Sequence, residues 1–253
     1  MTTYSHSRME TFKQCPLKFR FRYIDEIKKD EEGIEAFTGN RVHEALEMLL
    51  GLGKESGGEP DLEKAGELFL ASWDEKYHPA VLIRRRNMAA DDYRQRGLMC
   101  LRNYFEMEKG QDFGELLDLE LSLSFKLGDA EMTGVVDRLQ RDGGTYHIID
   151  YKTSKRDMTQ RDADSDRQLA LYEIGVRQMF PDASAVILHW YMLPHRNVVD
   201  STRSPAELDR LGQNVLALIE RIESATEFPP VETPLCGWCD YQRECEEEKA
   251  RRR

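Results

Sequence analysis

The sequence predicts a single α/β domain. A block of strand patterns lies between residues 117 and 152, a helical pattern and a further strand follow it, and helical periodicity fills both flanks. At 253 residues with no obvious repeat, the chain is long enough for one full core.

The first helix carries its own start signal, since Ser7-Arg8-Met9-Glu10 is a capping box. Helical patterns occupy most of residues 8–110, broken at Gln14-Cys15-Pro16 and by a Gly/Glu/Pro loop near 53–60. Val42, Ala45, Leu46 and Leu49 form a buried stripe, and residues 54–110 read as a helical insertion. From Leu117 to Leu127 apolar residues alternate with Asp118, Glu120, Ser122, Ser124 and Lys126, the period of a half-buried strand. Met132–Leu139 and Ile148–Lys152 are the next strands. Leu169, Tyr172, Val176 and Phe180 mark a helix, Ala185–Met192 a strand, and Leu208, Leu211, Val215, Leu218, Ile219 and Ile222 a last long helix. The tail from Lys249 to Arg253 is expected to be disordered.

In Ile148-Ile149-Asp150-Tyr151-Lys152 a strand sets Asp150 and Lys152 on one face, because side chains alternate. An acid and an amine there suit a site where a carboxylate holds a divalent metal and a lysine stabilises a reacting phosphate. Gly143-Gly144 is a favoured two-residue hairpin loop, both residues being able to reach φ > 0. Asp137 stands six residues before Gly143 and Asp150 six after Gly144, so an in-register hairpin opposes them. Two carboxylates so placed repel each other unless a cation lies between them. Mg²⁺ and Mn²⁺ suit such oxygen ligands. Two exposed acids and a surface lysine are the plain alternative. Gln168 and Tyr172 share a helix face one turn apart, and His43 borders the buried stripe of its helix. Alone, His43 reads as a half-buried structural histidine, and Gln168 and Tyr172 as surface polars.

Cys236, Cys239 and Cys245 form a C-x2-C-x5-C group after Pro229, Pro230 and Pro234. Cys15, at the break between two helical patterns, is the candidate fourth thiol, which makes 229–247 a cysteine region tied to the first helices. Cys100 reads as a small buried hydrophobe. No signal peptide is evident in Met1-Thr2-Thr3-Tyr4-Ser5-His6, so the cytoplasm is the expected compartment, where structural disulfides are rare. Zinc and an iron–sulfur cluster both accept four thiolates. No apolar run reaches the roughly 18–20 residues a membrane span needs.

The net charge of −11 argues against a protein that coats DNA generically, because such affinity comes from basic side chains. Ile83-Arg84-Arg85-Arg86 and Lys13, Lys18, Arg20 and Arg22 are the candidate phosphate-facing patches, or else solvated helix faces.

Together these motifs resemble the RecB-like branch of the PD-(D/E)XK nuclease superfamily, in the subgroup with a C-terminal iron–sulfur cluster. AddAB-type nuclease domains and CRISPR spacer-acquisition nucleases belong to that subgroup. Ser5 to Phe12 with Cys15-Pro16 resembles its N-terminal helix, His43 its helical histidine, and Asp137 its Gly-x-x-Asp-Arg acid. Asp150-Tyr151-Lys152, Gln168 with Tyr172, and the terminal cysteines complete the order, with no departure at a catalytic position. The resemblance implies a restriction-endonuclease-like core over 1–253, a central mixed sheet flanked by helices. It implies Mg²⁺ or Mn²⁺ on His43, Asp137, Asp150 and the Tyr151 carbonyl. Lys152, Gln168 and Tyr172 would act on the phosphate and the DNA backbone. A 4Fe–4S cluster would sit on Cys15, Cys236, Cys239 and Cys245, with zinc as the alternative. The implied activity is that of a DNA exonuclease on ends or single strands, with a helicase or CRISPR adaptation proteins as possible partners. The rivals are a spacer-acquisition nuclease, a non-catalytic DNA-end binding module and a zinc-stabilised partner-binding protein.

Overall fold

A computed structural model of the chain describes residues 2–57 and 60–251. Gly58 and Glu59 of the expected loop, and Arg252 and Arg253 of the expected disordered tail, lie outside the described residues. The elements run β1 (Thr3–Ser5), α1 (His6–Gln14), α2 (Pro16–Tyr23), β2 (Glu32–Gly33), α3 (Ile34–Ser56), α4 (Leu62–Lys76), β3 (Val81–Leu82) and α5 (Ala90–Glu108). There follow β4 (Glu115–Leu127), β5 (Ala130–Asp142), β6 (Thr145–Lys152), α6 (Gln160–Ser165), α7 (Gln168–Met179) and β7 (Ala185–Met192). Last come β8 (Asn197–Ser201), α8 (Pro205–Glu223), a 3-10 turn at Pro234–Trp238 and α9 (Gln242–Arg251).

Six strands form a mixed sheet in the order β1-β5-β6-β7-β8, with β4 along the other edge of β5. β4, β5 and β6 make an antiparallel meander, while β6 and β7 are parallel and joined across α6 and α7. One edge of β5 serves two partners. β1 takes its start, up to Ser5 opposite Thr133, and β6 takes its end from Arg138 onward. On one face α1, α7 and α8 bring Phe12, Leu169, Val176, Val215 and Ile219 against Ile148, Leu188 and Trp190. On the other, α3, α4 and α5 bring Leu46, Phe69 and Leu101 against Ile149, Tyr151 and Tyr191. The helices of the 54–110 segment are thus the cover of that face, and each large apolar side chain sealed there is worth about 1.5–3 kcal/mol.

Several local expectations are corrected. Ser5, not Ser7, caps α1, its Oγ accepting from Arg8 N at 3.2 Å. β1 leads straight into that helix, and Glu10 pairs with Lys13 and Arg167 instead of closing a capping box. Of the two loop glycines only Gly143 takes positive φ, +57°. Gly144 is needed for room, since a Cβ there would lie 2.5 Å from Ser184 Oγ. In β4 the alternation buries only Leu123 and Phe125. A register shift between Leu116 and Asp118 and a left-handed Glu120, φ +48°, spoil it upstream. The tail residues Lys249 to Arg251 are the end of α9, with Lys249 paired to Glu232. The short strands β1 and β8 carry no periodic signal and were not foreseen.

Candidate active site

The β5–β6 ladder runs from Asp142↔Thr145 to Arg138↔Ile149, and the next opposed positions are Asp137 and Asp150, the register expected of the glycine loop. There the strands part. Val136 and Leu139 both enter the same core cluster although three residues apart, so the alternation of β5 breaks across Asp137. The carboxylate of Asp137 fills the break: its Oδ2 accepts from Tyr151 N at 2.7 Å.

His43 reaches the same point from α3, whose Val42, Ala45 and Leu46 are fully buried and fix the helix against the sheet. Its Nε2 lies 2.9 Å from the Tyr151 carbonyl oxygen and its Nδ1 3.4 Å from Asp137 Oδ2. Glu120 completes a trio, because His43, Glu120 and Asp137 each offer a ligand atom within 4.8 Å of the others. Glu120 escaped the sequence reading, which took it as a solvent-facing position of an alternating strand. The same hairpin logic could have found it: Glu120 stands eight residues before Gly128 and Asp137 eight after Asp129.

Asp150 turns the other way. Only 4 % exposed, it lies 2.7 Å from Lys152 Nζ through its Oδ2, which makes no hydrogen bond. Gln168, the first residue of α7, ties the pair together, its Oε1 accepting from Lys152 Nζ at 3.1 Å. Its Nε2 donates to Asp150 Oδ1 at 3.4 Å and to Tyr172 Oη at 3.2 Å. The Tyr172 ring rests on Gly134, where a Cβ would meet Cε1 at 2.3 Å. A cleft of about 520 Å³ opens beside them, lined by Ser5, His6, Ser122, Gly134, Gln168 and Tyr172 among others. The fold therefore gathers every expected residue of the site at one place, in two adjoining groups.

The electrostatics record crowded negative charge. Burial, then the Asp137 charge, pushes Glu120 up to about 7. Burial, relieved by Lys152 and aggravated by Asp137, takes Asp150 to about 6. Burial opposes a charged His43, but Asp137, Asp150 and Glu120 outweigh it and raise the imidazole to about 9. Burial likewise opposes the Lys152 ammonium, yet the Asp150 carboxylate lifts it above its ordinary value.

The family model of the PD-(D/E)XK nuclease superfamily matches residues 3–246. The chain belongs to that superfamily. Asp150-Tyr151-Lys152 stands where the superfamily's name writes its acid-x-lysine, with Asp137 as the acid before it. No curated protein matches the chain. Among solved structures, the crystal structure of SSO0001 matches at 13% identity over 94% of this chain and 97% of that one, with a TM-score of 0.36, too loose to inform the site.

Away from the superfamily's metal-site residues, the cysteines also converge. Cys15 ends α1 in extended conformation and caps α2, its Sγ accepting from Lys18 N at 3.5 Å. Cys15, Cys239 and Cys245 pack against Leu17, Phe21 and Tyr241. Burial raises the Cys245 thiol, and of its neighbours Lys249 lowers it while Cys15, Cys239 and Cys236 raise it, so all four thiols feel one another. All five cysteines are free thiols, and burial drives Cys100 up to about 12. The expected phosphate-facing patches are largely spent on internal pairs. Arg84 donates to the Gly237 carbonyl at 3.3 Å and, like Lys18, lies near Asp240, while Arg20 binds Asp25 and Glu248. Among the described residues no helix is long and apolar enough to cross a membrane.

Proposed function

We propose that the chain is a Mg²⁺- or Mn²⁺-dependent DNA nuclease of the RecB-like branch, an exonuclease on DNA ends or single strands. The observation that carries this is the trio His43, Glu120 and Asp137 set directly beside the Asp150–Lys152–Gln168 group. Acids held together at a cost, with an Asp150 oxygen buried and without a hydrogen bond, fit a divalent cation. Asp137, Asp150, Glu120, His43 and the Tyr151 carbonyl are the atoms that would hold it. When bound, such an ion supplies Lewis acidity and lowers the pKa of a coordinated water.

The chain's own residues do the rest. Lys152, kept charged by Asp150 and aimed by Gln168, offers an ammonium to the charge that grows on the scissile phosphate. Tyr172 fixes Gln168, and so fixes the reach of Lys152. Asp137 and His43 clamp the amide and carbonyl of Tyr151, which holds the strand end at a constant distance from the phosphate. Cys15, Cys236, Cys239 and Cys245 would carry a 4Fe–4S cluster, a reading supported by their convergence from both ends of the chain and by the RecB-like resemblance. A helicase or CRISPR adaptation partner belongs to that resemblance alone.

The test is digestion of end-labelled single- and double-stranded DNA with Mg²⁺, Mn²⁺ or chelator. Cleavage that starts from ends, needs the cation and is absent in Asp150→Asn supports the proposal. Purified, metal-loaded protein that leaves every substrate intact refutes it.

A further inference from the structure

α3 and the segment after β6 lie side by side in opposite directions. His43 meets the Tyr151 carbonyl, Gly39 approaches Thr153 so closely that a Cβ would lie 2.9 Å from its Oγ1, and Glu35 faces Lys155. Each helical turn of α3 is thus matched by two residues of the extended chain. At the far end of this groove, cations gather around the single carboxylate of Glu35. Arg85 Nε is 3.7 Å from Glu35 Oε1, and Tyr93 donates its hydroxyl to the same carboxylate at 2.8 Å. The Arg96 guanidinium lies over the Tyr93 ring, 5.2 Å from its centroid, and its Nη1 is buried without a hydrogen-bond partner. Burial, then the like charges of Arg96 and Arg85, lowers the Lys155 amine, and Glu35 is the one acid acting on it among the described residues. Three cations around one carboxylate are an excess that this acidic chain maintains in few places, and an anion would relieve it.

We propose that Arg85, Arg96 and Lys155 form a subsite for a backbone phosphate of a single DNA strand whose neighbouring phosphate lies at the metal-site residues. This rests on the nuclease reading and adds to it a second point of attachment. Eight residues separate Glu35 from His43, about 12 Å along a helix rising 1.5 Å per residue. The four steps from Tyr151 to Lys155 cover at most about 13 Å. Those two spans agree, and they place the cluster a few nucleotides from the scissile bond, given about 3.4 Å of rise per nucleotide in a stacked strand. A dinucleotide cannot reach both points, whereas an octanucleotide can.

The variant is Arg85→Gln/Lys155→Gln, both side chains being exposed, with Lys64→Gln on α4 as the control. Binding of labelled single-stranded octanucleotide with Mn²⁺ is measured by anisotropy across a salt series in the non-cleaving Asp150→Asn background. Cleavage is measured in the otherwise native chain. The double variant should bind roughly tenfold more weakly, with a salt slope shallower by about 1.4, or about 0.7 for each lost phosphate contact. KM for the octanucleotide should rise in proportion with kcat kept, dinucleotide turnover should not change, and the control should behave as the native chain. If the native chain cleaves and the double variant keeps its affinity and slope, the subsite is wrong and the nuclease reading stands. If the native chain binds through these cations but never cleaves, the nuclease reading is wrong and the subsite stands. If it neither binds nor cleaves, both fall.

Discussion

Gly134→Ala is a change far from any charged atom that should nonetheless disarm the site. The new Cβ would lie 2.3 Å from Tyr172 Cε1 and 2.8 Å from Cδ1, against the 3.5–4.0 Å at which carbons rest. The ring must therefore retreat by about 1.2 Å, yet it is only 8 % exposed and packed in the core. Overpacking of this kind costs about 1–3 kcal/mol, or roughly 2–12 °C in melting temperature for a chain of this size. The larger effect is on catalysis. Tyr172 Oη holds Gln168, and Gln168 holds both Asp150 and Lys152, so the displacement passes to the ammonium. A misplacement of about 1 Å can cost about a hundredfold in rate. The assay is single-turnover cleavage of end-labelled DNA with saturating Mn²⁺, beside thermal melts and calorimetric Mn²⁺ titration. Cleavage should fall between about ten- and a hundredfold with Mn²⁺ affinity nearly unchanged, because His43, Glu120 and Asp137 are untouched. Adding Tyr172→Leu should recover the lost stability but not the rate. Native-level cleavage by a folded Gly134→Ala chain would refute the positioning role of Tyr172.

Asp150→Asn and Lys152→Met should each abolish detectable cleavage while circular dichroism stays native, since both side chains serve the reacting phosphate and sit at a strand end; residual activity above about 1 % would contradict this. In chelator, His43, Glu120 and Asp150 all bind their protons more tightly folded than unfolded, so the folded chain carries more protons and loses stability as pH rises. The carboxylate share is lost between about pH 4 and 7, and the histidine share, complete below about 6.5, is lost through about 9. Melting temperature should fall across that window, and the stabilisation by Mn²⁺, which must displace those protons, should grow; a flat chelator profile would count against it. Protein purified without oxygen should be brown with about four irons per chain, and Cys15→Ala should lose the colour as fully as Cys236→Ala while Cys100→Ala keeps it. Stoichiometric zinc in colourless anaerobic protein would overturn the cluster.

Much of the site was legible because it hangs on short-range geometry. Two glycines fixed a hairpin register that set Asp137 against Asp150, and one helical turn set Gln168 under Tyr172. Glu120 was not legible by the same route, because β4 alternates so cleanly in sequence that its polar positions read as solvent. A backbone departure, the left-handed φ of Glu120 beside a register shift, turns that position inward, and alternation cannot report such a departure. The divergence of the two aspartates was hidden too. It depends on Tyr151 N seeking Asp137 where the ladder ends, a hydrogen-bond need that no residue pattern displays. The basic patches failed for a further reason, since Arg84 and Lys18 are neutralised by Asp240, more than 150 residues away in the chain.

The shared edge of β5 has a consequence in time. β1 and α1 pair early residues with very late ones: Tyr4 donates its hydroxyl to Glu223 at 3.1 Å, and Phe12 and Phe19 both pack on Phe228. At synthesis rates of roughly 5–20 residues per second, the 219 positions between Tyr4 and Glu223 take roughly 11–44 seconds to emerge. Through that interval two phenylalanines of the first helices lack the aromatic that covers them, and the unclaimed start of β5 offers its hydrogen bonds to any passing strand. A ribosome-bound nascent chain of this protein is therefore a natural client for holding chaperones until its last helices arrive.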